Sequence, residues 1–421
     1  MRTRIDAEPT TSRFPYPLVS ALGVGQIVAW GSFYYVFVSL TDPMAAEFGW
    51  TKAQINGALS VVLAVTGLCS YARGRWVDRY GGRRMMTTAA FAGAALLFGW
   101  AHVAELWQLY VISVGIGIVS AMTLYDAAFA VVARLLGADY RRAIIVITLF
   151  GGLASTVFVP LTQFLVDTHG WRNALKALAL IQLPLGAGIP FLLLRGRETP
   201  RPTRAHREPT AVTSIRPALA HPVFWLLALS FVSFTFMFTS LVFNLVPMLR
   251  ESGYTTAEAV VAYAFIGPAQ LAGRVAILTL ERFISLTAAG LIGTLFPVLA
   301  VAVLITLQPH SPFVFLFAIA FGTGMGVKTI VQATAAPELL GRAGYGALQG
   351  ALMFPVYLAQ AGSPLLAAWI WQLNGSYDLL EIVLLVTAGV SVAAFVLAAR
   401  LRPNPQPPPC DLSLSSLAPP T

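Results

Sequence analysis

The sequence predicts an all-α membrane protein with twelve transmembrane helices arranged as two halves of six. Three observations carry this. Apolar residues make up 57% of the 421 positions and charged residues only 11%, less than half the charge that a soluble surface needs. The mean hydropathy is +0.74. The apolar residues also fall in runs of about 20, the length that crosses a bilayer core of about 30 Å.

Taken in order, the first six runs lie near 17–41, 55–72, 85–104, 107–133, 143–166 and 173–194. The second six lie near 221–249, 257–280, 286–306, 311–335, 347–371 and 378–399. Gly, Pro and charge separate them, as in Thr41-Asp42-Pro43 and Gln308-Pro309-His310. The longest break, Arg195 to Ala218, is basic and Pro-containing and reads as a partly flexible linker. The expected organisation is a six-helix half over 1–194, a basic linker over 195–218, a second half over 219–402 and a disordered Pro/Ser-rich tail over 403–421.

Lys and Arg set the orientation. With the N-terminus inside, 21 of the 27 basic residues fall on the inner side and four on the outer, while Arg274 and Lys328 fall within spans. Both termini are therefore expected in the cytoplasm, and the expected setting is the bacterial inner (plasma) membrane. The net charge of +9 then reads as loops beside anionic lipid, not as a nucleic-acid surface. Residues 1–17 lack the apolar core and cleavage site of a signal peptide.

Little is supplied for metal or covalent chemistry. Cys69 and Cys410 imply no disulfide framework, and the five His residues form no paired ligand motif. No cofactor or metal is expected, and no nucleophile–base pair suggests an enzyme.

One loop carries a motif. After the second span the chain reads Gly74-Arg75-Trp76-Val77-Asp78-Arg79-Tyr80-Gly81-Gly82-Arg83-Arg84. This resembles the signature between spans 2 and 3 of the major facilitator superfamily, with Gly82 where the family usually has a basic residue. A small residue at Gly74 lets two helix ends approach. Asp78 can cap a neighbouring helix or pair with an Arg across the seam between halves. Gly81 permits the tight reversal, and Arg79, Arg83 and Arg84 supply the basic positions. Such contacts suit a gate that closes in one state and breaks in the other. The second half has only a degenerate trace of it, Gly273, Arg274, Glu281 and Arg282. The resemblance implies the major facilitator fold, alternating access, and a cavity lined by spans 1, 4, 7 and 10.

Longer stretches resemble prokaryotic relatives of the monocarboxylate transporters: Gly25 to Tyr35, Tyr125 to Ala130, Leu149 to Thr156 with Gly170-Trp171-Arg172, and Gly267 to Arg274. That group also includes transporters assigned to arsenite efflux. The resemblance implies that Arg274 holds a carboxylate, as an Arg of span 8 does in monocarboxylate transporters. Those proteins have an Asp one turn earlier, where this chain has Gln270, and the Lys that the animal proteins carry in span 1 has no counterpart here.

Charges within spans are costly and therefore have a partner or a task. Arg274 and Lys328 are candidate anion-binding groups, and Asp126 is a candidate for carrying the coupling proton or neutralising one of them. Gln26, Asn244, Gln270 and Tyr34 are candidates to complete a substrate site. Gln26, Trp30, Phe33, Tyr34 and Phe37 share one face at α-helical spacing. A lone buried Cys69 reads as packing. The expected function is secondary transport of a small organic anion such as a monocarboxylate, coupled to protons or by exchange, by a monomer. The alternative is efflux of arsenite or another neutral or metalloid solute. A membrane sensor fits less well, since no sizeable soluble output domain exists.

Overall fold

The computed structural model describes residues 14–196, 215–280, 283–341 and 344–401. Most of the linker, the tail, and Glu281 and Arg282 of the motif trace lie outside the described residues. The described chain is helical, with no strand. The first six long helices are α1 Tyr16–Phe48, α2 Lys52–Tyr80, α3 Arg83–Trp100, α4 Leu106–Leu136, α5 Tyr140–His169 and α6 Trp171–Leu193. The second six are α7 Pro222–Glu251, α8 Thr256–Leu280, α9 Leu286–Ile305, α10 Phe313–Leu340, α11 Tyr345–Asn374 and α12 Asp378–Arg400. Eleven are long and apolar enough to cross a membrane. The remaining one, α3, falls below that hydropathy because Arg83 and Arg84 open its 18 residues.

Local chemistry sets the boundaries. Thr51 and Gln54 form a capping box that starts α2, and Ser285 caps α9. Gly81, at φ +81°, ends α2 in a conformation that a side chain would strain. Three interruptions shape the interior. A π-helical turn occupies Gly31–Tyr35 in α1. Leu124 is extended (ψ −176°) and places Asp126 in the first turn of the segment that resumes α4. Between Gly152 and Ala154 α5 breaks, with Leu153 N–H bonding back to the Phe150 carbonyl.

The buried core is divided. At the end of the bundle away from the motif loop, one apolar cluster draws only on the first six helices, from Val28 and Met44 to Trp171. A second draws only on the last six, from Phe234 and Leu249 to Leu384. At the motif end both clusters mix the halves: Leu63 and Ile145 pack with residues of α7 to α12, and Ala333 and Tyr345 pack with residues of α1 to α5. The halves are sealed together at the motif end and parted at the other.

The crossing of α2 and α11 makes the seal. A Cβ on Gly74 would lie 1.8 Å from the Gly346 carbonyl oxygen, and one on Gly350 would lie 2.3 Å from that of Ser70. The two backbones touch, so any side chain there would force them apart. Ser70 Oγ donates to the Gly350 carbonyl at 2.6 Å.

Candidate functional site

Between the halves lies a cavity of about 250 Å³. Helices α1, α4 and α5 line it from one side, and α7, α8, α10 and α11 from the other. The expectation of spans 1, 4, 7 and 10 was too narrow: the break in α5 and the glycine-rich packing of α8 bring those helices to the wall as well. Among the described residues, Arg274 and Asp126 are the charged side chains that line it.

Arg274 is 4% exposed. Its Nη1 donates to the Thr148 carbonyl at 3.1 Å, across the seam, at the last full turn before the break in α5. Gly152 makes this reach feasible, because a Cβ there would lie 2.0 Å from Nη1. Nε is buried without a hydrogen-bond partner, and no described carboxylate forms an ion pair with the group. One edge of the guanidinium is therefore anchored, while Nε is enclosed with its hydrogen bond unmet; a planar anion that reached Nε and the neighbouring nitrogen would satisfy it through two parallel hydrogen bonds. Tyr125 Oη approaches the same Thr148 carbonyl at 3.5 Å.

Asp126 is also buried, but its partners differ from those expected. It pairs with neither Arg274 nor Lys328. Arg73 Nη1 lies 3.2 Å from Asp126 Oδ2, and Tyr357 Oη donates to the same oxygen at 3.0 Å. Arg73 sits near the end of α2 and counts in the sequence as one more positive-inside residue. The structure buries it to 2% exposure, because α2 continues as helix to Tyr80 and carries Arg73 into the seam. The pair is linked to the other half through Tyr357 of α11, whose Cβ packs on Gly67.

Lys328 is fully buried but does not line the cavity. Its Nζ donates to Ser230 Oγ at 3.1 Å and sits over the rings of Phe231, Phe234 and Phe395 at 4.9, 5.3 and 5.5 Å. Ser230 in turn bonds Ser391 of α12. The side chain points between α7 and α12, away from the site assigned to it.

The smaller candidates divide. Gln270 and Tyr34 line the cavity. Gln26 does not: its Nε2 donates to the Thr123 carbonyl at 2.9 Å within the first half. Asn244 bonds the Ser240 carbonyl of its own helix at 2.8 Å and lies off the wall. The expected face of α1 fails at Phe33 and Phe37, which are buried in the first-half core. The reason is the π turn. It takes in one residue more than an α turn, so the register shifts: Trp30 and Tyr34 of the expected face line the cavity, and Tyr35 joins them in place of the two phenylalanines. Sequence reasoning also missed Arg73, Tyr357, Tyr125 and Ser155 as site residues, together with Gln349 and Gln360 of α11. Polar residues recurring along α11 were the available signal.

At the motif, Asp78 accepts from the backbone N–H groups of Gly346 at 3.0 Å and Ala347 at 2.9 Å. It thus caps the start of α11 from the other half. Arg134 of α4 holds the Val77 and Asp78 carbonyls. Arg83 donates to the Phe191 carbonyl at 2.9 Å, Arg79 lies over Tyr80, and Arg84 is exposed.

Two six-helix halves, a seal at the motif end and a polar cavity between the halves define a membrane transporter that works from a central site. The family model of the Major Facilitator Superfamily matches residues 22–354, and the chain belongs to that superfamily. It is a multi-pass transporter of a small solute, not an enzyme. Monocarboxylate transporter 13 of Rattus norvegicus is 27% identical over 337 residues, covering 76% of this chain and 73% of that protein. Among solved structures, the human organic anion transporter MFSD10 (TETRAN) superposes with a TM-score of 0.67 at 16% identity, covering 92% of this chain and all of that one. The transporter FucP in the outward conformation gives 0.71 at 13% identity, with 92% and 99% coverage.

Proposed function

We propose that this protein moves a small organic anion, of the monocarboxylate class, across the bacterial inner membrane by alternating access, with proton coupling through Asp126. The observation that carries the reading is the guanidinium of Arg274: buried, anchored at Nη1, with Nε unpartnered and no described carboxylate beside it. Likeness to a monocarboxylate transporter supports the same class. If the motif end is cytoplasmic, as the basic loops indicate, the parted end faces outward. Substrate then enters from outside and binds Arg274, with Gln270 and Tyr34 on the wall.

Asp126 suits coupling because it faces the cavity while holding Tyr357 of the opposite half. Protonation would weaken its grip on Arg73 and Tyr357 together, and both lie on the helices that form the seal. The test is uptake into proteoliposomes of a panel of labelled small carboxylates under an imposed pH gradient. The expected result is gradient-driven accumulation, lost in Arg274→Ala and uncoupled from the gradient in Asp126→Asn. Accumulation that survives Arg274→Ala would sink the anion site. No uptake of any acid, with raised arsenite tolerance on expression in a sensitised strain, would favour metalloid efflux.

A further inference from the structure

We propose that the cavity takes an anion with an aromatic or comparably bulky apolar body, a monocarboxylate of the arylalkanoate class, in preference to a two- or three-carbon acid. This deepens the anion-transport reading and rests on it.

Room comes first. The cavity of about 250 Å³ approaches the range of about 300–1,000 Å³ that holds drug-sized ligands. A three-carbon acid occupies roughly the space of three waters at about 30 Å³ each, which leaves most of the cavity empty.

The walls come second. From the first half, Trp30 meets Tyr125 at 5.2 Å and Tyr34 at 5.5 Å between ring centroids, and Tyr125 stacks on Phe129 at 5.3 Å. From the second half, Phe234 and Phe238 are parallel at 6.2 Å. All of these rings line the cavity. Buried aromatic residues usually serve as core, but here Trp30 lines the wall just before the π turn and Tyr34 and Tyr35 line it within the turn, while Phe33 and Phe37 keep the core role. Rings on both sides favour a flat apolar guest. Tyr125 and Arg274 converge on one carbonyl, so the aromatic wall adjoins the anion anchor.

Charge comes third. Among the described residues, the cavity holds one cation without an acidic partner, Arg274. Arg73 is held by Asp126, and Lys328 is enclosed elsewhere. A second carboxylate on the solute would find no cation and would meet Asp126. Gln270, Gln332, Gln349 and Gln360 line the remaining wall, and neutral polar residues suit a hydroxyl or oxo substituent better than a charge.

The test uses full-length protein in proteoliposomes and four matched labelled solutes: lactate, phenyllactate, phenyllactamide and phenylsuccinate. Protein-free liposomes are subtracted, because aryl acids leak through bilayers. Phenyllactate is expected to exceed each of the others at least tenfold in kcat/KM. Trp30→Ala and Phe238→Ala should each lower phenyllactate uptake several-fold more than lactate uptake. Lactate moving as well as phenyllactate overturns the bulky-body inference and leaves the anion site standing. Phenylsuccinate moving as well overturns the single-charge argument. Phenyllactamide moving as well overturns the anion site itself, and transport of none of the four overturns both.

Discussion

Arg274 and Lys328 are both cations inside spans, both in the second half, and both buried below 5% exposure. The structure gives them opposite settings. Arg274 crosses the seam, anchors one nitrogen on the Thr148 carbonyl in the last turn before the break in α5, and keeps Nε unpartnered. Lys328 stays within its own half, on one hydroxyl and three phenyl faces. The glycines of α10 explain the second case: Gly322 and Gly326 press against the α8 backbone and Gly324 against Pro297 of α9. Lys328 is therefore turned to the free side, toward α7 and α12. The cost of a buried charge shows that it must be accommodated; only its neighbours show whether the accommodation is a site or a closed pocket.

The sharpest way to break this comparison is to remove each cation in turn and measure uptake. Arg274→Ala should lower kcat/KM for the transported anion about 100-fold or more, the scale expected when one member of a desolvated charged contact is truncated. Arg274→Lys should recover little, because a point charge cannot reproduce a planar two-bond contact. Equal losses in Arg274→Ala and Lys328→Ala would erase the distinction.

Arg73 is a third buried cation and sharpens the contrast, since of these three it alone has a carboxylate. Deleting one partner of a buried pair costs about 3–5 kcal/mol. Asp126→Asn and Arg73→Leu should each destabilise the protein on that scale in thermal or denaturant unfolding in detergent, and the double variant should lose less than the two single losses added together. Tyr357→Phe should cost less, about 1.5–3 kcal/mol, as the loss of one hydrogen bond to a charged group.

The motif tests whether the seal is a separable element. Asp78→Ala removes the cap of α11 and should destabilise the sealed state by about 1 kcal/mol, some fivefold in population. In a background with Cys69→Ser and Cys410→Ser, maleimide labelling of Ser70→Cys should rise by a similar factor. Unchanged labelling would mean that the glycine crossing alone holds the seal.

How much of this was legible depends on the physics of each signal. Span positions were, because lipid leaves apolar runs that composition cannot hide. Asp78 was, because a short acidic side chain beside a Gly-permitted crossing has few other uses. The face of α1 was legible only in part: Trp30 and Tyr34 do line the cavity, but Phe33 and Phe37 fit α spacing too, and nothing in Gly31–Tyr35 announces a π turn that shifts the register. Arg73 was not, because a basic residue near the end of a span looks the same whether the helix ends early or runs on to Tyr80. Lys328 was half legible, as buried but without direction, since direction depends on which neighbours the glycines of α10 contact.

The smallest expected effect is at Lys328 itself. The ammonium has three N–H donors and, among the described residues, a single side-chain acceptor, Ser230 Oγ, so its charge is balanced by ring faces. Lys328→Met keeps the length and removes the need to strip water from a charge, and its sulfur suits the rings of Phe231, Phe234 and Phe395. Uptake should stay within about threefold of the parent, and thermal stability should hold or rise, as for buried charges replaced by well-packed apolar groups. Lys328→Ala should be worse than Met, because it opens a cavity among those rings. A Lys328→Met protein that is stable but has lost uptake more than tenfold would place the ammonium in the transport cycle. Ser230→Ala then decides how: loss in both variants means that the Lys328–Ser230–Ser391 link between α7, α10 and α12 is what moves, and loss in Lys328→Met alone means that the charge is read in a state where Nζ has left the serine.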